Sequence, residues 1–304
     1  RSKIDGVMHA CGHDGHTSAL LGIARTLQEH RGELPGRVRL IFQPAEEISP
    51  GGAKPMIEAG VLDGVDVIYG VHLWTPLPVG TFASRSGPFM AAADEFNIKI
   101  AGKGGHGGLP HETIDSVVIA SHLIVNLQSI ISRNVNPVEP AVISVGAIHA
   151  GKGFNVIAES AVLNGTVRSF SEDVRAQLHR RLGEVAEQTA AMFGAAAVVE
   201  TKWGYPVVAN HPTEAERFFN VARRLFEPGN VIESPPIMAG EDFAYYLQQV
   251  PGVFMFVGAG NAEQGIIHPH HHPRFDIDEN AMRHAGKLLL AMTWEYLHAA
   301  GRTA

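Results

Sequence analysis

Apolar and polar positions in the first part of the chain switch between helical and strand periodicity. Between residues 17 and 31, apolar side chains recur at the spacing of one helix face, which predicts an amphipathic helix. The apolar runs at 37–44 (RVRLIFQP) and 65–74 (VDVIYGVHLW) predict strands, and AKPMIEAG between them predicts a short helix that ends at Gly60. Strands that alternate with helices predict an α/β layer built on a mostly parallel sheet flanked by helices.

From about Asp94 the pattern changes, because strands and helices now follow one another in the order β-α-β-β-α-β. Strands are predicted at 96–103, 140–151, 160–170 and 196–206, and long helices at 114–132 and 171–194. Ser171 is a suitable N-cap for the second long helix, and Gly194 is a suitable stop. This order is typical of a ferredoxin-like α+β unit, which we expect to be inserted into the first domain.

The α/β pattern resumes after Pro206. The predicted elements are a helix at about 212–226, a short helix in DFAYYLQQV, a buried strand at 252–260 and a last helix at 278–299. We therefore expect a discontinuous α/β domain, formed by residues 1–93 and 207–304, that is interrupted by an α+β domain at 94–206.

Composition narrows the possible partners. The 304 residues are 45% hydrophobic and 18% charged, which is typical of a globular protein. A net charge of −7 argues against a nucleic-acid partner, and the apolar runs are much shorter than the ~20 residues of a membrane span. A single cysteine cannot form an internal disulfide, which favours a reducing compartment. We expect a cytoplasmic protein that binds neither nucleic acid nor membrane.

The densest chemical motif is HACGHDGH at residues 9–16, which contains the single cysteine. Cys11 and His13 lie two positions apart just before a predicted helix, and a thiolate and an imidazole so placed are suitable ligands for zinc or a similar divalent ion. A buried inert cysteine and a Cys-His nucleophilic pair are alternatives. A cysteine nucleophile would need an orienting Asn or Asp on a separate element, and the sequence does not indicate one.

Carboxylates and further histidines follow other predicted strands. Glu46 and Glu47 come just after the strand at 37–44, and sites in α/β sheets form at the carboxyl ends of strands. His72 lies near the end of the strand at 65–74, and IIHPHHHPRFD contains four more histidines. Each of these residues could instead be a solvated surface group or a buried structural residue. Taken together, a thiol, several imidazoles and a spare carboxylate are the groups that metal-assisted hydrolysis needs.

Three polar residues of the inserted segment are also candidates. His106 lies in the glycine-rich stretch GKGGHGGLPH, which lacks the GK[ST] of a phosphate-binding loop. Asn155 and Arg168 lie within or beside predicted strands. A flexible loop around His106, and structural hydrogen bonds from Asn155 and Arg168, are the simpler interpretations of these residues alone.

Seven stretches between residues 9 and 279 together resemble one enzyme family. They are HACGHDGH, FQPAEE, GVHLW, GKGGHGGLPH, FNVIAESAVLNGTVRSF, GEDFAYY and HHHPRFDIDE. The chain is similar to the aminoacylase, hippurate hydrolase and auxin-conjugate (IAA-amino acid) hydrolase group of dinuclear-metal amidohydrolases, which are relatives of the zinc carboxypeptidases. The resemblance covers nearly the whole chain in the order of the family.

The resemblance implies roles for nine residues. It implies metal ligation by Cys11, His13, Glu47, His72 and His271, general base catalysis by Glu46, and substrate contacts by His106, Asn155 and Arg168. His271 is chosen among its neighbours because it stands two positions before Pro273, as in the H-x-P motif of the family. His106 would reach the substrate or its oxyanion from the inserted domain, across a dimer interface.

The resemblance also implies a reaction, cofactors and partners. The expected reaction is metal-dependent hydrolysis of the amide bond of an N-acyl amino acid, by a metal-activated water from which Glu46 takes a proton. Two divalent ions (zinc, manganese, cobalt or nickel), a lid or dimerisation role for the inserted domain, and a homodimer or higher homo-oligomer are expected. A metallo-carboxypeptidase or dipeptidase that acts on short peptides with the same site is an alternative.

Two features depart from the family pattern. Family members carry further residues before HACGHD, including an Asp-rich strand end, so we expect the chain to be N-terminally incomplete. A truncated, non-catalytic binding or assembly protein is therefore another hypothesis. In addition, Ala158 replaces a proline after NVI, and Gly107 and Gly108 replace alanines, and we expect only small local effects from these changes.

Overall fold

Seven α-helices and twelve β-strands are formed by residues 2–300, the part of the chain that the computed structural model describes. The helices are α1 (His13–Glu29), α2 (Ala53–Glu58), α3 (Ser116–Asn134), α4 (Glu172–Met192), α5 (Pro212–Leu225), α6 (Ala244–Leu247) and α7 (Asn280–Ala300). The strands are β1 (Ile68–Pro78), β2 (Phe82–Ser84), β3 (Gly87–Met90), β4 (Ala92–Ala101), β5 (Gly105–His106), β6 (Ala141–Ala150), β7 (Val156–Ile157), β8 (Ser160–Ser169), β9 (Ala196–Tyr205), β10 (Val208–Asn210), β11 (Val231–Glu233) and β12 (Gly252–Gly260).

The first sheet has the strand order β1-β12-β2-β11. Two of its three pairings are parallel, β1 with β12 and β2 with β11, and β12 runs antiparallel to β2. Helices α1, α5 and α7 pack beside it around a core that includes the fully buried side chains of Leu73, Phe82 and Met255. Strand β12 is buried along its whole length, as expected for an inner strand of an α/β layer.

The second sheet has the strand order β6-β8-β4-β9, with antiparallel pairing throughout. Helices α3 and α4 pack against it, and Leu123, Leu163 and Leu178 are fully buried between the helices and the sheet. The Ser171 hydroxyl accepts a hydrogen bond from the first turn of α4, and Gly194 has a φ of 76° just beyond its end. The order of these elements is the ferredoxin-like order that the sequence predicts, and the predicted α/β class is confirmed.

Helix α3 has the length and apolar composition of a membrane span. Its apolar residues Ile119, Leu123, Leu127 and Ile130 are buried in the core beneath the second sheet. Packing against the sheet therefore accounts for the apolar character of this helix.

The chain leaves the first sheet region and returns to it at neighbouring points. Strands β3 and β10 pair antiparallel, with Met90 opposite Val208, and further along Ala93 of β4 lies opposite Tyr205 of β9. A Cβ atom on Gly240 would lie 2.7 Å from the Cβ of Ala93, so this end of the second sheet touches the loop before α6.

One predicted strand is wrong. Residues 37–44 are not in a strand, because none of the described strands pairs with them and a strand needs a hydrogen-bonded neighbour. The apolar pattern of this segment instead reflects partial burial, since Ile41 packs against the core that contains Phe89 and Phe256. Strands β2, β3, β10 and β11 are three or four residues long, too short for a periodicity to predict them.

Candidate metal centre

Cys11 and His13 lie at the start of α1. The helix begins at His13, and the preceding Gly12 has a φ of 84°, a left-handed conformation that favours glycine. This tight turn separates two residues whose donor atoms lie within 4.8 Å of each other. Gly12 therefore supports both candidate ligands through the backbone.

His72 reaches the same point from β1. Its ring is buried, and Nδ1 donates to the carbonyl oxygen of Leu73 at 2.8 Å, because a carbonyl can only accept. This fixes the tautomer, so that Nε2 is unprotonated and faces the Cys11 sulfur at 3.5 Å. Burial lowers the pKa of His72 well below its usual value, which favours the neutral imidazole that metals bind.

Glu46 and Glu47 lie in a turn next to His13. Ala45 has a φ of 61°, which is unusual for a residue with a side chain, and its carbonyl accepts from the amide of Ile48 at 3.2 Å. The Nε2 atom of His13 lies 3.8 Å from a carboxylate oxygen of each glutamate. The adjacent carboxylates thus approach the same imidazole.

His271 completes the group from the opposite end of the chain. Its Nε2 atom lies 2.9 Å from Oε1 of Glu47. Its amide donates to the carbonyl oxygen of Ala10 at 2.7 Å, which ties its loop to the segment that carries Cys11. Like Ala45, His271 has a positive φ, of 65°.

The donor atoms of these residues form three overlapping groups, within each of which the atoms lie no more than 4.8 Å apart. The groups are Cys11, His13 and His72; Cys11, Glu47 and His271; and His13, Glu46 and Glu47. All five residues predicted as ligands are therefore brought together with Glu46. Cys11 belongs to two of the groups, which places its sulfur between them.

The charges of this centre fit a bound cation. Burial, and then the charges of Glu47 and Asp242, raise the pKa of Glu46 to about 8, and burial together with Glu47 raises the pKa of the Cys11 thiol. Within residues 2–300, the side chains that form ion pairs with Glu46 and Glu47 are His13 and His271. A divalent ion would offset the clustered negative charge, and a set of thiol, imidazole and carboxylate donors suits ions such as zinc.

The other histidines of the HPHHHP stretch do not belong to the donor groups. His270 stacks on Trp74 with ring centroids 4.6 Å apart, and its Nε2 atom accepts from the amide of Thr75 at 3.3 Å. His268 stacks on His272, with ring centroids 4.2 Å apart. His270 therefore packs beside the centre without joining the donor groups.

Sequence reasoning missed a half-buried and a buried residue near the centre. His16 accepts a hydrogen bond from the amide of Leu73 at 2.9 Å, and burial lowers its pKa to about 3, so it supports β1 as a neutral ring. Glu241 is buried, and burial followed by the charge of Glu46 raises its pKa well above its usual value. The HDGH and GEDF motifs contained a signal for both residues, but their burial could not be seen from the sequence.

His106 and Asn155 lie beside each other, away from the donor groups. Strands β5 and β7 pair, and the amide of Gly107 donates to the carbonyl oxygen of Asn155 at 2.8 Å. Strand β5 follows β4, which ends at Ala101. The other end of β4, at Ala93, contacts the loop before α6, and a strand rises roughly 3.4 Å per residue. His106 therefore lies on the order of 25 Å from that end of the sheet.

Arg168 lies at the opposite end of the second sheet from His106. It pairs with Ala93, so that both side chains project from the same face of the sheet. Its guanidinium donates to the carbonyl oxygen of Val167 at 3.1 Å and to the Thr166 hydroxyl. Arg168 is thus closer to the first part of the fold than His106 is, but it forms no described hydrogen bond with the donor residues.

Comparison with known proteins supports the resemblance. The sequence pattern that defines peptidase family M20/M25/M40 matches residues 1–295. The chain is 50% identical over 295 residues to YhaA of Bacillus subtilis, named as an amidohydrolase, covering 97% of this chain and 74% of YhaA. It is 45% identical to the N-acetyl-L-cysteine deacetylase of the same organism, covering 95% of this chain and 67% of the relative. It is 41% identical to thermostable carboxypeptidase 2 of Saccharolobus solfataricus, covering 93% and 72% of the two chains.

The fold is also that of a solved relative. The crystal structure of the YXEP protein of Bacillus subtilis, described as a dinuclear metal binding peptidase of the M20 family, superposes with a TM-score of 0.82 at 38% identity. The match covers 98% of this chain and 75% of that one.

Proposed function

The chain belongs to peptidase family M20/M25/M40 and is a metal-dependent amidohydrolase, and we propose that it releases the acyl group of N-acyl amino acids at the centre around Cys11. The observation that carries this proposal is that five donor side chains lie together in overlapping groups, with the carboxylate of Glu46 beside them. The naming of a relative as an N-acetyl-L-cysteine deacetylase supports the substrate class.

Two divalent ions are proposed to bind, one in each of the two donor groups that contain Cys11. Cys11, His13 and His72 would hold one ion, and Cys11, Glu47 and His271 the other. Zinc, manganese, cobalt and nickel all suit this mixture of sulfur, nitrogen and oxygen donors. When bound, such ions polarise a carbonyl group and make water more acidic, which is the chemistry that amide hydrolysis needs.

Glu46 is proposed as the general base. Its carboxylate lies beside the donor groups, and Glu47 already pairs with His271. Glu46 would take a proton from the attacking water and give it to the leaving amine nitrogen. The side chain is 20% exposed, so a substrate can approach it from the solvent.

His106 is proposed to act from a second copy of the chain in a homodimer. Because it lies on the order of 25 Å from the near end of its own sheet, it is too far to reach the donor groups of its own chain in this conformation. Asn155, which lies next to His106, would reach the same substrate, and Arg168 would bind its carboxylate or carbonyl. In this proposal residues 94–206 form a lid and dimerisation domain, and residues 1–93 and 207–304 form the catalytic domain.

Hydrolysis of short peptides is the second candidate function. It is favoured by the 41% identity to a protein named thermostable carboxypeptidase 2. The donor groups would be the same, and only the substrate pocket would differ. A cytoplasmic location is proposed as well, because a reducing compartment would keep the single thiol available for metal.

The test is a hydrolysis assay on metal-stripped protein with hippurate, N-acetyl-methionine and a dipeptide. Each substrate is incubated after addition of zinc, manganese, cobalt or nickel, and bound metal is counted by plasma mass spectrometry. Amide hydrolysis with about two ions bound per chain is the expected result. A protein that binds two ions and cleaves none of the three substrates would instead be a binding or assembly protein, and Glu46→Gln provides the background rate.

A further inference from the structure

The segment that carries Glu46 depends on contacts from outside for its position. Ala45 adopts a positive φ of 61°, and the segment is followed by a turn in which the amide of Ile48 bonds to the carbonyl of Ala45. Residues 37–45 before it pair with none of the strands that the structure describes. The segment thus lacks the hydrogen bonds of a strand pair and has an unusual backbone conformation. It keeps that conformation only when its surroundings fix it.

Tyr205 supplies such a contact. It is the last residue of β9, its side chain is buried, and its hydroxyl donates a hydrogen bond to the backbone carbonyl of Glu46. The ring also meets Tyr245 edge to face, at a centroid distance of 6.4 Å. Tyr205 is therefore held by packing on one side while its hydroxyl binds the backbone of the catalytic segment.

The backbone just before Tyr205 is itself fixed by a buried polar network. The amide of Gly204 donates to Asp94 at 2.8 Å, and its carbonyl accepts from Arg175 at 3.1 Å and from the Tyr245 hydroxyl at 3.0 Å. Asp94 and Arg175 form an ion pair with side chains 0% and 5% exposed. A Cβ on Gly204 would lie 2.1 Å from the carbonyl oxygen of Ala93, so glycine is required for this close approach.

We propose that Tyr205 is a positioning residue for the general base, which sets the carboxylate of Glu46 through a hydrogen bond to its backbone carbonyl. The inference rests on the proposed function, because it gives Glu46 the role of base. Its physical basis is the rigid path from the second sheet, through the anchored backbone of Gly204, to the catalytic segment. A displacement of a reacting group by about 1 Å can reduce a rate by roughly 100-fold.

The test compares Tyr205→Phe with Tyr245→Phe. Tyr205→Phe keeps the buried ring and removes only the hydroxyl that binds Glu46. Tyr245→Phe is the matched control, since it removes a hydroxyl from the same aromatic pair while Arg175 still donates to the Gly204 carbonyl. For the metal-loaded full chain, kcat of Tyr205→Phe should fall at least ~10-fold with KM changed less than ~3-fold, and Tyr245→Phe should stay near wild type.

Two further readouts separate positioning from general damage. Hydrogen exchange followed by mass spectrometry should show faster exchange of peptides covering residues 44–51 in Tyr205→Phe, but not in Tyr245→Phe. Bound metal should remain the same in both variants. The exchange experiment needs no substrate, so it tests the hydrogen bond from Tyr205 to Glu46 even if the chain cleaves none of the assayed amides. That lack of cleavage would overturn the proposed function alone.

Three results would overturn the role of Tyr205. One is an unchanged kcat in Tyr205→Phe. Another is an equal loss of kcat or of melting temperature in both variants, which would show that the bond to Glu46 has no more effect than the bond from Tyr245 to Gly204. The last is a loss of bound metal from Tyr205→Phe, which would show that the hydroxyl supports the donor groups and not the base.

Discussion

The Nε2 atom of His271 lies 2.9 Å from Oε1 of Glu47, although 224 residues separate them in the chain. Both residues sit in loops with a non-glycine residue at positive φ, Ala45 on one side and His271 itself on the other. The loop of His271 is joined to the segment that carries Cys11 by the bond from the His271 amide to the carbonyl oxygen of Ala10. Backbone of this kind is common where a site must bring together distant segments.

Cys11 and His271 should differ in their effect on metal content. Because Cys11 belongs to both ligand groups, Cys11→Ala should weaken binding of both ions, whereas His271→Ala should weaken one and leave about one ion per chain. The measurement is metal stoichiometry after dialysis against a weak chelator. His272→Ala serves as the control, because its ring stacks on His268 instead of facing Glu47. Full metal content and full activity in Cys11→Ala would refute the ligand assignment.

Glu46→Gln should abolish turnover and keep the metal. An amide cannot accept the proton, so the rate should fall by roughly 100-fold to 10,000-fold, while the proposed ligands are untouched. Kinetics and metal analysis on the same preparation check this. Glu47→Gln is the informative comparison, since it should lose metal and activity together. If Glu46→Gln also loses its metal, Glu46 is a ligand, as the donor group of His13, Glu46 and Glu47 would then indicate.

Asp94→Asn should destabilise the protein at neutral pH more than in acid. Burial alone would raise the pKa of Asp94, but hydrogen bonds from Arg175 and His179 outweigh it and lower the pKa to about 2, from a usual 3.8. The ionised carboxylate therefore stabilises the fold by roughly 2 kcal/mol above about pH 4, and this contribution is lost as the pH falls from about 4 to 2. Asp94→Asn also removes the charged partner of the buried Arg175. This loss should lower the free energy of unfolding by about 3–5 kcal/mol at pH 7.

Urea unfolding between pH 7 and pH 2.5 measures this effect. The difference in the free energy of unfolding between wild type and Asp94→Asn should narrow as the pH approaches 2.5. Glu95→Gln is the control, because its ion pair with Lys202 is exposed and should contribute less than about 1 kcal/mol. A difference that does not vary with pH would show that folding leaves the pKa of Asp94 unchanged.

His106→Ala and Glu46→Gln chains should complement each other. Each variant alone should be inactive, but in a randomly mixed dimer population about a quarter of the sites would combine an intact Glu46 with His106 of the partner subunit. Activity after co-expression, with the mixed dimer isolated through two affinity tags, tests this. His111→Ala, which changes an exposed histidine nearby, should be active by itself. Isolated mixed dimers without activity would argue against action across the interface.

Sequence pattern was sufficient for elements whose signals are local. Helix α4 begins after the predicted cap Ser171 and is followed by the predicted stop at Gly194, because cap and stop act within a few residues. The set of five predicted ligands was inferred from motif resemblance, and the structure brings their donor atoms together. Strand order would have placed Glu46 and Glu47 after a strand at 37–44, which the structure does not contain. Both inferences use short stretches of sequence that can be recognised without knowing which distant segments they contact.

Pairing partners and burial could not be predicted. The segment 37–44 has an apolar pattern suited to a strand but no described strand beside it, and pairing is a property of two segments. The buried Glu241 and the half-buried His16 were missed because their surroundings arise from the packing of distant elements. The separation of His106 from the donor groups likewise follows from the length and direction of β4.

The side-by-side pairing of Met90 with Val208 has an evolutionary consequence. Strands β3 and β10 pair like the two arms of a hairpin, and residues 91–207 stand where its tip would be. A hairpin tip accepts insertions readily because its two ends are already close together. Loss or exchange of that segment would therefore leave the two strands in register, so the enzyme could acquire a different domain there while the rest of its fold stays in place.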